Sequence, residues 1–190
     1  MSSFSIAPVK KVAVIFVEKQ YEVIELYYAR FRFVEEGWTV HLVGPTTAPV
    51  GTVYPSKEDF PCKTTTDLKS IDPLQVDAIV APGGFCPDWL RRDPAILEFI
   101  RAAYREGHGA VVAAVCHGPW LLVSANILRG KHATCFIAIK DDVINAGAIY
   151  EPGMQVVVDG KLVTAQHRDD MPAFMKAIFV TEAAAPRVSH

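Results

Sequence analysis

The sequence predicts an α/β fold in which a mostly parallel sheet carries helices on both faces. Residues 11–17 and 77–81 are continuous apolar runs, as expected of strands that are buried on both faces. Segments with helical apolar spacing follow such runs, and this alternation is typical of parallel strands joined by helices. The 190 residues are 51% hydrophobic, and no linker or repeat divides them. We therefore predict a single domain over 1–190.

The first half of the chain is predicted to contain three strands and two helices. Gly37 and Gly107 stand where helices would end, and Asp93 is a suitable N-cap for the second helix. Residues 44–75 are rich in Pro, Thr, Ser and Lys, which predicts a long excursion with one or two short strands near 63–67. The strands are expected at 11–17, 38–43 and 77–81, and the helices at 21–36 and 94–106.

The second half begins with a strand at 111–115 that passes directly into a helix. Asp159-Gly160 between two apolar runs predicts a hairpin with a type I′ turn. The C-terminal tail at 185–190 is expected to lack regular secondary structure. The remaining elements are expected as helices at 119–128, 139–145 and 171–184, a short strand at 132–136, hairpin strands at 155–158 and 161–164, and a tail at 185–190.

Composition argues against several classes of protein. The formal net charge is −2 without a run of Lys or Arg, so we expect no nucleic-acid partner. No apolar run is long enough to span a bilayer, and residues 1–11 lack the pattern of a secretion signal, so no membrane partner is expected. The spacing of the four cysteines fits neither a disulfide framework nor a zinc site. We expect free thiols in the cytoplasm, with no metal and no cofactor.

Cys116 stands at the most informative position of the chain. The apolar run at 111–115 is followed directly by Cys116-His117-Gly118. Pro119 then suits the first position of the next helix. This strand-to-helix turn predicts a nucleophile elbow, with a thiol pushed toward thiolate at a helix N-terminus and His117 as a base. The alternative is a buried structural cysteine, which is the better interpretation for Cys62 and Cys135.

Other residues are expected near the same sheet edge. Gly83-Gly84 follows a buried strand and would supply N–H groups to an oxyanion hole, although an ordinary turn remains an alternative. Glu22 and Glu25 share one helix face, where they are either solvated or directed at the nucleophile. Asp88 follows the glycine turn and could orient His117.

With these residues, the chain resembles the ThiJ/PfpI superfamily, and within it the PfpI-type intracellular cysteine peptidases and general stress proteins. Seven motifs carry the resemblance in order along most of the chain. They are Tyr-Glu-Val-Ile-Glu-Leu (21–26), Ala-Pro-Gly-Gly-Phe-Cys-Pro-Asp (81–88), Ala-Val-Cys-His-Gly-Pro (114–119), Leu-Arg-Gly (128–130), Ile-Lys-Asp-Asp-Val-Ile-Asn-Ala-Gly (139–147), Val-Val-Val-Asp-Gly (156–160) and Asp-Asp-Met-Pro-Ala-Phe (169–174).

The resemblance implies a flavodoxin-like three-layer sandwich and a set of functional residues. Cys116 would be the nucleophile and His117 its base. The family's buried acid would be Glu25, with Glu22 one turn earlier. The oxyanion donors would be Gly84, beside Gly83, and the amide of His117. Asp88 would complete the Cys-His pair from a neighbouring subunit, which implies self-association as a homodimer or hexamer.

The chain also departs from the family pattern. Phe85 stands where Arg is frequent, and it removes a charge that could hold an anionic substrate. Cys86 either packs in the core or condenses with an oxidised Cys116. Phe136 stands where Tyr is frequent, and His167 where Pro or Asn is frequent. His167 could face the pocket, but a lone His is more often structural.

Three functions follow from this set. The leading hypothesis is a cysteine hydrolase, a peptidase or amidase that attacks a carbonyl. An alternative is a glutathione-independent glyoxalase or deglycase acting on methylglyoxal and its adducts, favoured if Phe85, Trp89, Trp120 and Phe136 narrow the pocket. The third is a non-enzymatic stress sensor or chaperone that responds through oxidation of Cys116. The expected partners are a small carbonyl compound or a peptide, and other copies of the chain.

Overall fold

A computed structural model describes residues 10–104 and 109–184. These residues form ten strands, and buried apolar residues fill those at the centre of the fold. The strands are β1 (Val12–Phe16), β2 (Thr39–Val43), β3 (Val53–Tyr54), β4 (Cys62–Lys63), β5 (Ala78–Ala81), β6 (Val111–Val115), β7 (His132–Ala133), β8 (Ile149–Tyr150), β9 (Val156–Asp159) and β10 (Leu162–Ala165).

Six α-helices lie among the described residues, and none of them is long and apolar enough to cross a membrane. The predicted end of the second long helix at Glu106, its stop at Gly107 and the tail at 185–190 lie outside the described residues. The helices are α1 (Val23–Glu35), α2 (Cys86–Leu90), α3 (Pro94–Ala103), α4 (Pro119–Ser124), α5 (Lys140–Asn145) and α6 (Met171–Ala183).

The main sheet has six strands in the order β2-β1-β5-β6-β10-β9. Every pairing is parallel except that of β10 with the edge strand β9. Helix α1 packs with α6, and α4 packs with α2, α3 and α5, so helices cover both faces. The predicted α/β architecture is confirmed. Because β5 and β6 are paired neighbours, the turns at their carboxyl ends lie side by side.

The short elements differ most from the prediction. Helix α2 was not anticipated, and α4 ends at Ser124 rather than at residue 128. The predicted strand at 132–136 is reduced to the two residues of β7, which pairs with β8 in a separate small sheet. Elements this short carry little periodicity, so their sequence gives a weak signal.

The turn of the β9–β10 hairpin is shifted by one residue from its predicted place. Asp159 pairs with Leu162, so Gly160 and Lys161 form the turn instead of Asp159 and Gly160. Gly160 has a φ of +60°, whereas Lys161 has a negative φ. A positive φ at the first position alone is the pattern of a type II′ turn, and the prediction of type I′ was wrong.

The core is densest along β1, β5 and β6, where nearly every side chain is buried. Beside this sheet, Phe33 of α1 is fully buried and meets Trp38 and Phe179 of α6, with ring centroids 4.9 Å and 5.5 Å away. These rings join α1 to α6 on one face of the sheet. They therefore fix the helix that carries Glu25.

We predict that Phe33→Ala lowers the free energy of unfolding by about 3–5 kcal/mol, because it removes a buried ring and leaves a cavity. Urea denaturation followed by circular dichroism measures this change. Phe31→Ala is the matched control on the same helix, since Phe31 is 56% exposed; it should cost less than about 1 kcal/mol. Equal losses in the two variants would contradict the packing described here.

Candidate active site

The turn after β6 has the backbone of a nucleophile elbow. Cys116 has a φ of +60°, a left-handed conformation that non-glycine residues rarely adopt. Its N–H donates to Ala165 of β10, and its carbonyl accepts from the Phe136 N–H. Hydrogen bonds on both sides thus hold the strained residue in place, and strain of this kind is typical of functional sites.

The glycine turn after β5 packs directly against this elbow. A Cβ atom on Gly83 would lie 2.8 Å from Cys116 Cβ, 2.9 Å from Glu25 Oε2 and 2.9 Å from the His117 nitrogen. Gly84 has a φ of +71°, and a Cβ there would lie 2.1 Å from the Gln20 carbonyl oxygen. Only glycine fits at either position, because the backbone approaches its neighbours too closely for a side chain.

Glu25 reaches the thiol from α1, with 1% of its surface exposed. Its Oε2 accepts the Gly83 N–H at 2.6 Å, and its carboxyl hydrogen-bonds with the Cys116 thiol. The structure therefore brings together the two residues that the resemblance paired. Glu25 connects α1, the glycine turn and the elbow in one buried contact.

Glu22 stands one turn before Glu25 but does not contact the thiol through any hydrogen bond among the described residues. It caps α1, and its Oε2 accepts the Glu25 N–H at 2.8 Å. Its Oε1 lies 3.3 Å from Nη1 of Arg168. Sequence reasoning missed Arg168, although its place just beyond the carboxyl end of β10, next to β6, could have drawn attention to it.

Burial raises the pKa of Glu25 to about 8, despite the Gly83 N–H, which favours the carboxylate. This carboxyl therefore holds a proton at neutral pH. Burial also raises the pKa of the Cys116 thiol, and an ionised Glu25 raises it further. The sequence predicted a thiol pushed toward thiolate at the start of α4, whereas burial shifts the pKa of this thiol upward. The two groups titrate as a coupled pair.

Two backbone amides favour the thiolate against this burial. The N–H groups of Gly84 and His117 both hydrogen-bond to the sulfur of Cys116, which lowers the pKa of the thiol. These are the amides that the resemblance named as oxyanion donors. Because they lie beside the attacking sulfur, they can also stabilise the negative charge that forms on the oxygen of a carbonyl under attack.

The imidazole of His117 lies directly beside the sulfur, with Nδ1 3.2 Å from Sγ of Cys116. Burial lowers the pKa of His117, and the charge of Lys57 lowers it further. A neutral ring at neutral pH can accept the thiol proton. The contact thus fits the predicted role of His117 as a base.

Asp88 lies on α2, and its carboxylate pairs with Arg92 of the same chain. Within the described residues, no hydrogen bond joins Asp88 to His117. Whether Asp88 reaches a neighbouring subunit stays a prediction.

Phe136 stacks on His117 with ring centroids 5.0 Å apart, and His167 also stacks on Phe136 with ring centroids 6.3 Å apart. The side chain of His167 also caps the short turn at 168–170 and lies 3.1 Å from an oxygen of Asp169. His167 therefore has a structural role, and it approaches the site only through Phe136.

The other three cysteines are free and buried. Cys86 is fully buried and accepts the Glu18 N–H at 3.2 Å, and burial raises its pKa. Packing, rather than condensation with Cys116, is the interpretation that fits this environment. Within 10–104 and 109–184, no group of three His, Cys, Asp or Glu side chains is arranged to hold a metal ion.

Comparison with known proteins identifies the family. The sequence profile of the DJ-1/PfpI family matches residues 10–181. The chain belongs to the DJ-1/PfpI family. The match covers α1, the glycine turn and the elbow, so the three parts of the site lie within the family's domain.

Relatives within the DJ-1/PfpI family carry two kinds of name. Deglycase PfpI of Pyrococcus furiosus is 35% identical over 157 residues, which cover 83% of this chain and 90% of that protein. The putative cysteine protease YraA of Bacillus subtilis is 35% identical over 165 residues, covering 87% and 94% of the two chains. These names suggest enzymatic activity and leave the reaction open.

Solved structures of the DJ-1/PfpI family agree with the fold. A two-domain protein from Anabaena variabilis, with DJ-1/ThiJ/PfpI-like and ferritin-like domains, superposes with a TM-score of 0.84 at 34% identity. The alignment covers 94% of this chain and 50% of that protein, so this chain spans half of its length. Drosophila melanogaster DJ-1beta has a TM-score of 0.81 at 22% identity over 94% of this chain and 92% of its own, and it supports the flavodoxin-like fold alone.

We predict that Gly83→Ala inactivates Cys116 without unfolding the protein, because the new methyl group must push the thiol and the Glu25 carboxyl apart. Alkylation of Cys116 by iodoacetamide, followed by intact-protein mass spectrometry, should slow by about tenfold or more. Gly153→Ala is the control for backbone strain without a collision, since Gly153 has a φ of +76° and a Cβ there meets nothing within 4 Å. An unchanged alkylation rate in Gly83→Ala would contradict the close approach.

We predict that Glu25→Gln lowers the apparent pKa of Cys116. The substitution removes the negative charge that raises the pKa of the thiol, so the thiolate should form at lower pH than in the wild type. The pH dependence of iodoacetamide alkylation reports this shift. Glu58→Gln removes an exposed carboxylate with no resolved influence on the thiol and serves as the control. A raised apparent pKa in Glu25→Gln would show that the sign is wrong.

Proposed function

We propose that this protein adds the Cys116 thiol to the carbonyl carbon of a small aldehyde or dicarbonyl, as in glyoxalase or deglycase chemistry. The contact between the thiol and the protonated carboxyl of Glu25 carries the proposal. A buried acid beside the nucleophile can move protons on and off a small bound substrate. Cys116 is only 8% exposed, which favours a small substrate over a polypeptide.

The first step forms a carbon–sulfur bond. The sulfur attacks the aldehyde carbon, and the electron pair of the C=O bond moves onto oxygen. The amides of Gly84 and His117 stabilise this charge. The thiol proton passes to His117 Nδ1, 3.2 Å from the sulfur, and the oxygen then takes up a proton to give a hemithioacetal.

The later steps need two proton transfers and one water molecule. A base at the site takes the proton from the former aldehyde carbon and an acid returns a proton to the neighbouring ketone carbon, while the hydroxyl of the hemithioacetal loses its proton and the former ketone oxygen gains one. Glu25 suits this exchange because its pKa of about 8 lies near neutral pH. The resulting thioester is hydrolysed, so methylglyoxal and water give lactate and the thiol is restored.

Hydrolysis of a peptide or amide is the second candidate. The nucleophile elbow and the two converging amides favour it, because they also suit the tetrahedral intermediate of acyl transfer. A leaving amine must receive a proton from His117. An acid from a second subunit, Asp88 by the resemblance, would assist in a homo-oligomer. The name of the relative YraA, a putative cysteine protease, supports this candidate.

A side-by-side assay tests the two candidates. We expect lactate from methylglyoxal, and a loss of at least about 10³-fold in Cys116→Ser, since the hydroxyl is a far weaker nucleophile at neutral pH. Cys62→Ser is the control, because it alters a thiol that lies outside the elbow. Turnover of fluorogenic peptide amides with none of methylglyoxal would favour the second candidate. Undiminished turnover in Cys116→Ser would refute both.

A further inference from the structure

Two aromatic rings stack against the imidazole of His117. The ring centroid of Phe85 lies 6.1 Å from that of the imidazole and the centroid of Phe136 lies 5.0 Å away, each at an interplanar angle of 28°. Trp120 meets the imidazole edge-on at 5.1 Å. We call Phe85 and Phe136 the aromatic clamp. Phe85 is 51% exposed, and its contact with His117 gives a reason for an apolar ring at this exposed position.

A Cys-His pair is ordinarily oriented by an acid that binds the second ring nitrogen. Among the described residues, the only hydrogen-bond partner of the His117 imidazole is the sulfur of Cys116. The nearby Asp88 pairs with Arg92 instead. The ring is therefore held by packing rather than by a carboxylate of its own chain.

We propose that Phe85 and Phe136 are positioning residues, which keep Nδ1 of His117 directed at the sulfur of Cys116. Rotation of the imidazole about its χ2 bond would drive its edge toward these rings, because both stack against it at a small interplanar angle. The orientation is thus fixed by shape. The expected effect of the clamp on turnover rests on the proposed function, whereas its expected effect on the alkylation of Cys116 does not.

The clamp also suits a neutral base. The phenyl rings partly bury the imidazole, and burial lowers the pKa of His117 and so favours its uncharged form. A neutral Nδ1 can accept the proton that Cys116 releases on attack. Loss of the clamp should therefore lower kcat and leave KM nearly unchanged, since the clamp acts on a proton transfer rather than on substrate affinity.

The experiment compares Phe136→Leu, which removes a ring, with Phe136→Tyr, which restores one. Phe85→Leu is the second clamp variant, and because Phe85 is half exposed its removal leaves the core intact. Phe31→Leu is the matched control, since Phe31 is 56% exposed and lies on the outer side of α1. Each is measured for kcat and KM with methylglyoxal and for the pH profile of Cys116 alkylation by iodoacetamide, with His117→Ala as the reference for a missing imidazole.

We expect Phe136→Leu to lower kcat about tenfold with KM within about twofold, and to shift the alkylation profile toward that of His117→Ala. Phe85→Leu should act in the same direction, while Phe136→Tyr and Phe31→Leu should stay within about twofold of the wild type.

Three results would contradict the proposed role of the clamp. The first is a wild-type pH profile of alkylation in both Phe85→Leu and Phe136→Leu. The second is a Phe136→Tyr variant that is as impaired as Phe136→Leu. The third is an alkylation profile in His117→Ala that matches the wild type, because the imidazole would then have no influence on the sulfur. If the wild type turns over neither methylglyoxal nor peptides, the proposed function fails, and the alkylation profiles still decide the clamp.

Discussion

The site depends on one buried contact, in which the carboxyl of Glu25 meets both the Gly83 amide and the Cys116 thiol. An acid with 1% exposure is unfavourable as an anion, so burial keeps it protonated near neutral pH. The contact also explains why residue 83 has no side chain, since the carboxyl and the thiol fill the space that one would need. A helix, a sheet strand and the elbow are thereby fixed relative to one another.

Much of the fold could be predicted because its long elements carry local signals. The apolar runs of β1, β5 and β6, and the helical spacing of α1, lie close to their predicted bounds. The hairpin turn was misplaced because moving the turn by one residue shifts the strand pairing by two, which leaves every side chain on the same face, so the apolar pattern does not distinguish the two turn types. The two-residue strands β7 and β8 have no periodicity to detect.

The site was less predictable than the fold. Cys116, His117 and Gly83 were found because strand, turn and helix follow one another in the sequence. The helix face left Glu22 and Glu25 as either solvated or directed at the nucleophile, and only the resemblance singled out Glu25, since its contact with Cys116 spans 91 positions of the chain. Arg168 was missed for the same reason. The protonation of this centre depends on burial, which a sequence pattern does not report.

The low exposure of Cys116 has a consequence for the order of events if an amide is hydrolysed through an acyl-enzyme. An acyl group on this sulfur would occupy the space beside Glu25 and the aromatic rings. Water and the departing amine would then compete for the little space around a sulfur whose residue is 8% exposed. The first product would therefore leave before the hydrolytic water enters, and the kinetics would be of the ping-pong type.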